Sequence, residues 1–116
     1  MVPTRQLLRQ IAPDVCVAPQ LTPEAMADLA ALGFKSVVNN RPDFEEGPDQ
    51  PTSAQVEAAA QAAGLAYAYL PVQPAYHSPA EIARMAELVA ALPRPMVAFC
   101  RSGNRSGKLY QAATSR

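Results

Sequence analysis

Short apolar runs alternate with amphipathic stretches along the chain, and their spacing predicts a strand-helix unit repeated four times. Asp14 to Ala18 reads as an early strand, pairing with the segment Gln6 to Leu8. Thr22-Pro23-Glu24 sets a capping hydroxyl before a proline at the first helical position. Met26, Leu29, Ala30 and Leu32 then share one face, and Gly33 stops the helix. Ser36 to Asn39 is the next strand, and three prolines, a glycine and four acids between Asn40 and Pro51 force a loop. Thr52 and Gln55 have the spacing of a capping box ahead of an alanine-rich helix that ends at Gly64. Ala66 to Leu70 forms a third strand, leaving through a loop from Pro71 to His77. Ser78 and Glu81 repeat the capping box, and Ile82, Met85, Leu88, Val89 and Leu92 form a core-facing helical stripe. Met96 to Phe99 is continuously apolar, as suits a strand buried on both faces. The last helix runs through Lys108, Leu109, Tyr110, Ala112 and Ala113, with Ser106 as its N-cap. The expected architecture is an α/β fold in a single domain over residues 1–116, with a mostly parallel central sheet of four to five strands and helices on both faces.

Chemistry concentrates where the last apolar strand ends. Cys100 would leave the C-terminal edge of the sheet, where open α/β folds place their ligands. Arg101, Ser102, Gly103 and Asn104 then make a short polar loop ahead of Arg105. Gly103 permits the positive φ that turns several N–H groups inward, and a helix start adds its positive end. Loop amides, that helix end and Arg105 are expected to face the sulfur and lower its pKa below about 8.5. The same groups suit an oxyanion, and the Arg105 guanidinium fork can hold two oxygens at once. Two further loops leave the same sheet edge. One carries Asn40, Arg41 and Asp43, the other Tyr76 and His77. Asn40, Arg41, Tyr76 and His77 are candidates for a substrate mouth, and Asp43 for a proton donor.

The 116 residues bound the rest of the reading. Ten basic and ten acidic residues cancel, and no basic stripe interleaved with aromatics appears, so no nucleic-acid partner is expected. No stretch approaches the ~20 apolar residues of a membrane span, and none is expected at a membrane. A lone histidine gives no metal signal. Cys16 and Cys100 are the only cysteines, and a reactive Cys100 argues for a reducing compartment, by default the cytoplasm. Oligomeric state is left open.

Taken together, the segment Gly33 to Asp43, the acidic loop, Ala62-Ala-Gly64 before Tyr67, Leu70-Pro-Val72 and Cys100-Arg-Ser-Gly-Asn-Arg-Ser106 resemble the phosphatase-like domain of bacterial beta-lactamase hydrolase-like proteins, also called domain of unknown function 442. The resemblance runs from about Asp14 to Tyr110. It implies a protein-tyrosine-phosphatase-like fold, a Cys-x4-Arg phosphate loop and no cofactor. By the same resemblance Cys100 is the nucleophile, Arg105 the phosphate-binding arginine and Ser106 the hydroxyl beside it. The substrate it implies is a phosphorylated small molecule or phosphoprotein, hydrolysed through a thiophosphoryl intermediate. Ordinary phosphatases of this fold have one residue more between cysteine and arginine. They also carry an acid in the loop corresponding to Pro71–Ser78, which here has neither Asp nor Glu. Asp43 is the best substitute. The chain ends eleven residues after Arg105, short for such a fold and suggestive of truncation. The loop alone also resembles that of a rhodanese-type sulfurtransferase carrying a persulfide, and a non-catalytic oxyanion-binding module is the third reading.

Overall fold

All four residues of Ser36–Asn39 and all four of Met96–Phe99 are buried between two helix layers; the second run is wholly apolar, while the polar ends of the first are satisfied by Ser36 donating to Pro93 O and Asn39 to the Tyr67 hydroxyl. In the computed structural model, which describes residues 2–115, these are the central strands β3 (Ser36–Asn39) and β5 (Met96–Phe99). They are flanked by β1 (Arg9–Ala12), β2 (Val15–Ala18) and β4 (Ala66–Tyr69). The five-stranded sheet has the order β1-β2-β5-β3-β4 and is parallel except for β1. Helices α1 (Thr4–Leu7), α2 (Ala25–Ala31), α3 (Ser53–Ala62), α4 (Pro79–Ala91) and α5 (Asn104–Thr114) complete the chain.

Side chains alternate across the sheet and meet a different layer on each side. Val37, Val97 and Phe99 pack with Met26 and Leu29 of α2 and with Val56 and Ala60 of α3. Val38, Met96 and Ala98 pack on the other side with Met85 and Leu88 of α4 and Leu109 and Ala113 of α5. Each fully buried side chain of this size contributes on the order of 1.5–3 kcal/mol. Both capping boxes form, Thr52 with Gln55 and Ser78 with Glu81. The Thr22 hydroxyl accepts from Ala25 N at 3.3 Å, yet α2 begins at Ala25 with Glu24 as its cap, two residues beyond the proline expected to open it.

Two further expectations need correction. The strand beside β2 is Arg9–Ala12, whereas Gln6 and Leu7 lie in α1. A tight turn at Pro13-Asp14 returns the chain on the residues directly before it, so the hairpin fixes the partner. The cap of α5 is Gly103, with φ 94°, and not Ser106, which lies inside the first turn. The loop passes so close beneath β2 that a Cβ on Gly103 would stand 3.3 Å from the carbonyl carbon of Ala18. Only a residue free to adopt that φ without a side chain can start the helix there.

Candidate active site

The ends of β2, β3 and β5 bring the polar segments to one edge of the sheet. The Cys100 amide donates to Ala18 O at 3.2 Å, and Asn40 N donates to Phe99 O at 2.8 Å, so strand pairing continues one step into both loops. Cys100 is fully buried at the floor of its loop, and its Sγ accepts from Gly103 N at 3.1 Å. Burial, the largest single influence, pushes the thiol up. The amide and hydroxyl of Ser106 and the amides of Ser102 and Gly103 together outweigh it and leave Cys100 below its ordinary value. These hydrogen bonds, rather than the Arg105 charge that the sequence suggested, are the leading causes of the lowering; the Arg105 guanidinium itself is paired with a carboxylate. Cys16, unpaired and half-buried in β2, is pushed up by burial instead.

That carboxylate is Glu45, from the β3–α3 loop. Its two oxygens take Arg105 Nη1 at 3.1 Å and Nη2 at 3.2 Å, and Arg105 Nη1 also donates to Val72 O at 3.2 Å. The end of the guanidinium is therefore occupied, while its Nε–H and the second hydrogen on Nη2 are left for another two-oxygen acceptor. Glu45 is held below the usual carboxylate range. Burial alone would raise it, but its bonds to Arg105 and Arg41 outweigh that. Arg41 Nε meets Glu45 Oε1 at 3.1 Å, its Nη1 donates to Gln20 Oε1 at 3.0 Å, and its Nη2 lies 3.3 Å from Glu46 Oε1. Glu46 also pairs with the loop's exposed Arg101, at 2.9 Å.

Asn40 and Ser106 form a second layer under the sulfur. Both are fully buried, and the Ser106 hydroxyl donates to Asn40 Oδ1 at 2.8 Å. The Leu70 carbonyl, 3.0 Å from Asn40 Nδ2, can only accept, so the amide nitrogen must face it and Oδ1 must face Ser106. The single hydroxyl proton of Ser106 thus has two acceptors to serve, Asn40 and an ionised sulfur.

The remaining expected residues are placed less centrally. Asn40 and Arg41 are beneath the site and not at its mouth, because strand-end hydrogen bonds and ion pairs have drawn them in. Asp43 does not turn toward the sulfur. Its Oδ1 accepts from Ser53 N at 2.7 Å at the start of α3, its own N–H donates to the Tyr69 hydroxyl at 2.9 Å, and no hydrogen bond joins it to Cys100 or Arg105. A helix start with unsatisfied N–H groups is a stronger claim on a nearby carboxylate than an empty pocket is. Tyr76 is 68% exposed. The hollow over the loop is lined by Pro74, Arg101, Ser102, Asn104, Arg105 and Lys108, with neither Tyr76 nor His77 among them. His77 Nε2 is enclosed without a partner. Glu45 and Glu46 escaped the sequence reading, which saw them only as part of an acidic loop; the one available signal was Glu45 lying four residues after Arg41. Among the described residues no helix is long and apolar enough to cross a membrane, and no group of three or more acids, cysteines and histidines is placed to hold a metal.

A mostly parallel sheet covered on both faces, with a Cys-x4-Arg loop between its last strand and last helix, makes a phosphatase-like α/β domain that shares the protein-tyrosine-phosphatase fold. The chain belongs to the family described as the phosphatase-like domain of the beta-lactamase hydrolase-like protein, whose profile matches residues 7–115. It is 42% identical over 82 residues to the beta-lactamase hydrolase-like protein of Agrobacterium fabrum, a match covering 71% of this chain and 19% of that protein. The chain thus spans about a fifth of the length of such relatives. Among solved structures it is similar to a candidate phosphatase of Neisseria meningitidis, with TM-score 0.80 and 28% identity over 90% of this chain and 72% of that one. TpbA of P. aeruginosa, crystallised with phosphotyrosine, shares the fold at TM-score 0.64 and 19% identity, covering 94% of this chain and 62% of its own.

Proposed function

We propose that this domain hydrolyses phosphate monoesters, with Cys100 as nucleophile. The observation that carries the reading is the geometry around a buried Cys100, whose sulfur accepts from a loop amide beside an arginine whose Nε edge is open, surroundings that draw its pKa down. In the first step Sγ forms a bond to phosphorus as the bond to the ester oxygen breaks. The loop amides and Arg105 hold the nonbridging oxygens while charge develops. The leaving oxygen departs as an alkoxide or phenoxide and takes its proton from water, ending as the alcohol or phenol. Water then attacks the thiophosphate, releasing inorganic phosphate and returning the sulfur as thiolate. Ser106 shifts its proton from Asn40 toward the departing sulfur in that second step. Arg101, Ser102, Gly103 and Asn104 form the phosphate cradle. Because Cys100 is fully buried, the hollow lined by Pro74 and Arg101 must widen to admit the ester, and the exposed Arg101–Glu46 pair opposes this by only about 0–1 kcal/mol. With Asp43 bound into the α3 cap, esters with good leaving groups react fastest. A nucleophilic thiolate suits a reducing compartment, and the domain is assigned to the cytoplasm.

The test is a paired assay of wild type and Cys100→Ser with an aryl phosphate and with thiosulfate plus cyanide. Phosphate release lost in Cys100→Ser, without thiocyanate, supports the reading. Thiocyanate without phosphate would identify a sulfurtransferase instead, and neither product an oxyanion-binding module.

A further inference from the structure

Two hollows meet over the first turns of α5. The first lies over the Cys100 loop, with a volume of about 390 Å³. The second, of about 310 Å³, lies between α5 and the edge strand β1, and its lining includes Arg9, Ile11, Gly107 and Tyr110. Asn104 and Lys108, one helical turn apart, line both and form the ridge between them. Neither lining contains an acid. The ion pairs among the described residues leave Arg9 and Lys108 without partners, while Arg101 and Arg105 are matched by Glu46 and Glu45.

Gly107 shapes the second hollow. A glycine inside a helix costs about 1 kcal/mol relative to alanine, and nothing in its backbone requires one, since its φ is not positive. Arg9 reaches across the helix at this point, and a Cβ on Gly107 would stand 3.4 Å from its Nη2. The missing side chain lets the guanidinium lie against the helix, in the same hollow that Lys108 lines. Ile11 and Tyr110 supply apolar wall for a short carbon skeleton.

We propose that the second hollow binds a second acidic group of the substrate, so that the substrate class is a small molecule bearing a phosphate monoester and another phosphate or carboxylate. This rests on the phosphatase reading of the Cys100 loop. An aryl phosphate gains little here: the hollow over the loop has no aromatic lining, and Phe44 and Tyr76 stand outside it at 63% and 68% exposure. A second anion between two unpaired cations gains charge-assisted hydrogen bonds, which raise affinity about tenfold.

The experiment compares short alkanediol bisphosphates of graded chain length with their monophosphates, using the full chain. The best bisphosphate is expected to exceed its monophosphate about tenfold in kcat/KM, mainly through KM. Arg9→Gln should remove that advantage, Arg9→Lys should restore much of it, and p-nitrophenyl phosphate hydrolysis should not change in either. Equal kcat/KM for every pair, or an advantage that survives Arg9→Gln, would overturn the proposal. So would a preference for an acidic phosphopeptide over every bisphosphate. If wild type hydrolyses nothing, the phosphatase reading fails by itself, and calorimetry on Cys100→Ser then decides the second hollow. Tighter binding of the bisphosphate that is lost on adding Arg9→Gln supports it, and equal binding of both ligands overturns it.

Discussion

Glu45 holds Arg105 from the end of its guanidinium, and this choice of edge decides what the arginine can do. Arg105→Lys is expected to lose most activity, since one ammonium cannot reproduce two parallel hydrogen bonds while also meeting Glu45. Steady-state kinetics with an aryl phosphate read this directly. Glu45→Gln leaves the buried Arg105 without a carboxylate and Arg41 with only the more exposed Glu46, which should lower stability by about 2–3 kcal/mol in thermal denaturation. The pH sign follows from Glu45 having a folded-state value below its unfolded one. Its contribution is complete above the ordinary carboxylate range and is lost as pH falls through the depressed value. Wild type should therefore lose stability on acidification more than Glu45→Gln does. Cys100 and Arg105 could be read from the sequence because the loop that joins them is local. Glu45 could not, since it lies sixty residues from Arg105 and the contact exists only after two strand ends are brought side by side.

Local signals were reliable where a helix start depends on residues within one turn, as at Thr52 with Gln55 and Ser78 with Glu81. They failed where a distant element competes. Gly103 and not Ser106 begins α5, because the end of β2 presses on the loop. Gly103→Ala should cost about 1–2 kcal/mol through its left-handed backbone, and should also raise the Cys100 pKa by shifting the amide that reaches Sγ. Denaturation and thiol titration separate the two effects. Asp43 shows the same competition, its carboxylate claimed by α3 across ten residues. Asp43→Ala should lower stability by about 1 kcal/mol and leave the ratio of alkyl to aryl ester hydrolysis unchanged. A loss confined to alkyl esters would return the proton-donor role to Asp43.

The whole molecule explains why these residues converge at all. Parallel strands β2, β5, β3 and β4 all end on one edge, so segments far apart in sequence arrive together, and the two core layers fix their spacing. The alternation of strands and helices made that edge legible in the sequence, whereas β1, the antiparallel strand beside the second hollow, was misplaced because hairpin geometry outweighs weak apolar patterning. The hydrolysis proposed for this edge requires the Cys100 sulfur to be ionised near neutral pH by amides that converge on it. The most direct measurement is the ultraviolet thiolate absorbance of wild type minus Cys100→Ser across a pH titration, which needs no reagent to reach an enclosed sulfur. A midpoint well below the ordinary value of about 8.5 is predicted, and a midpoint at or above it would contradict the account.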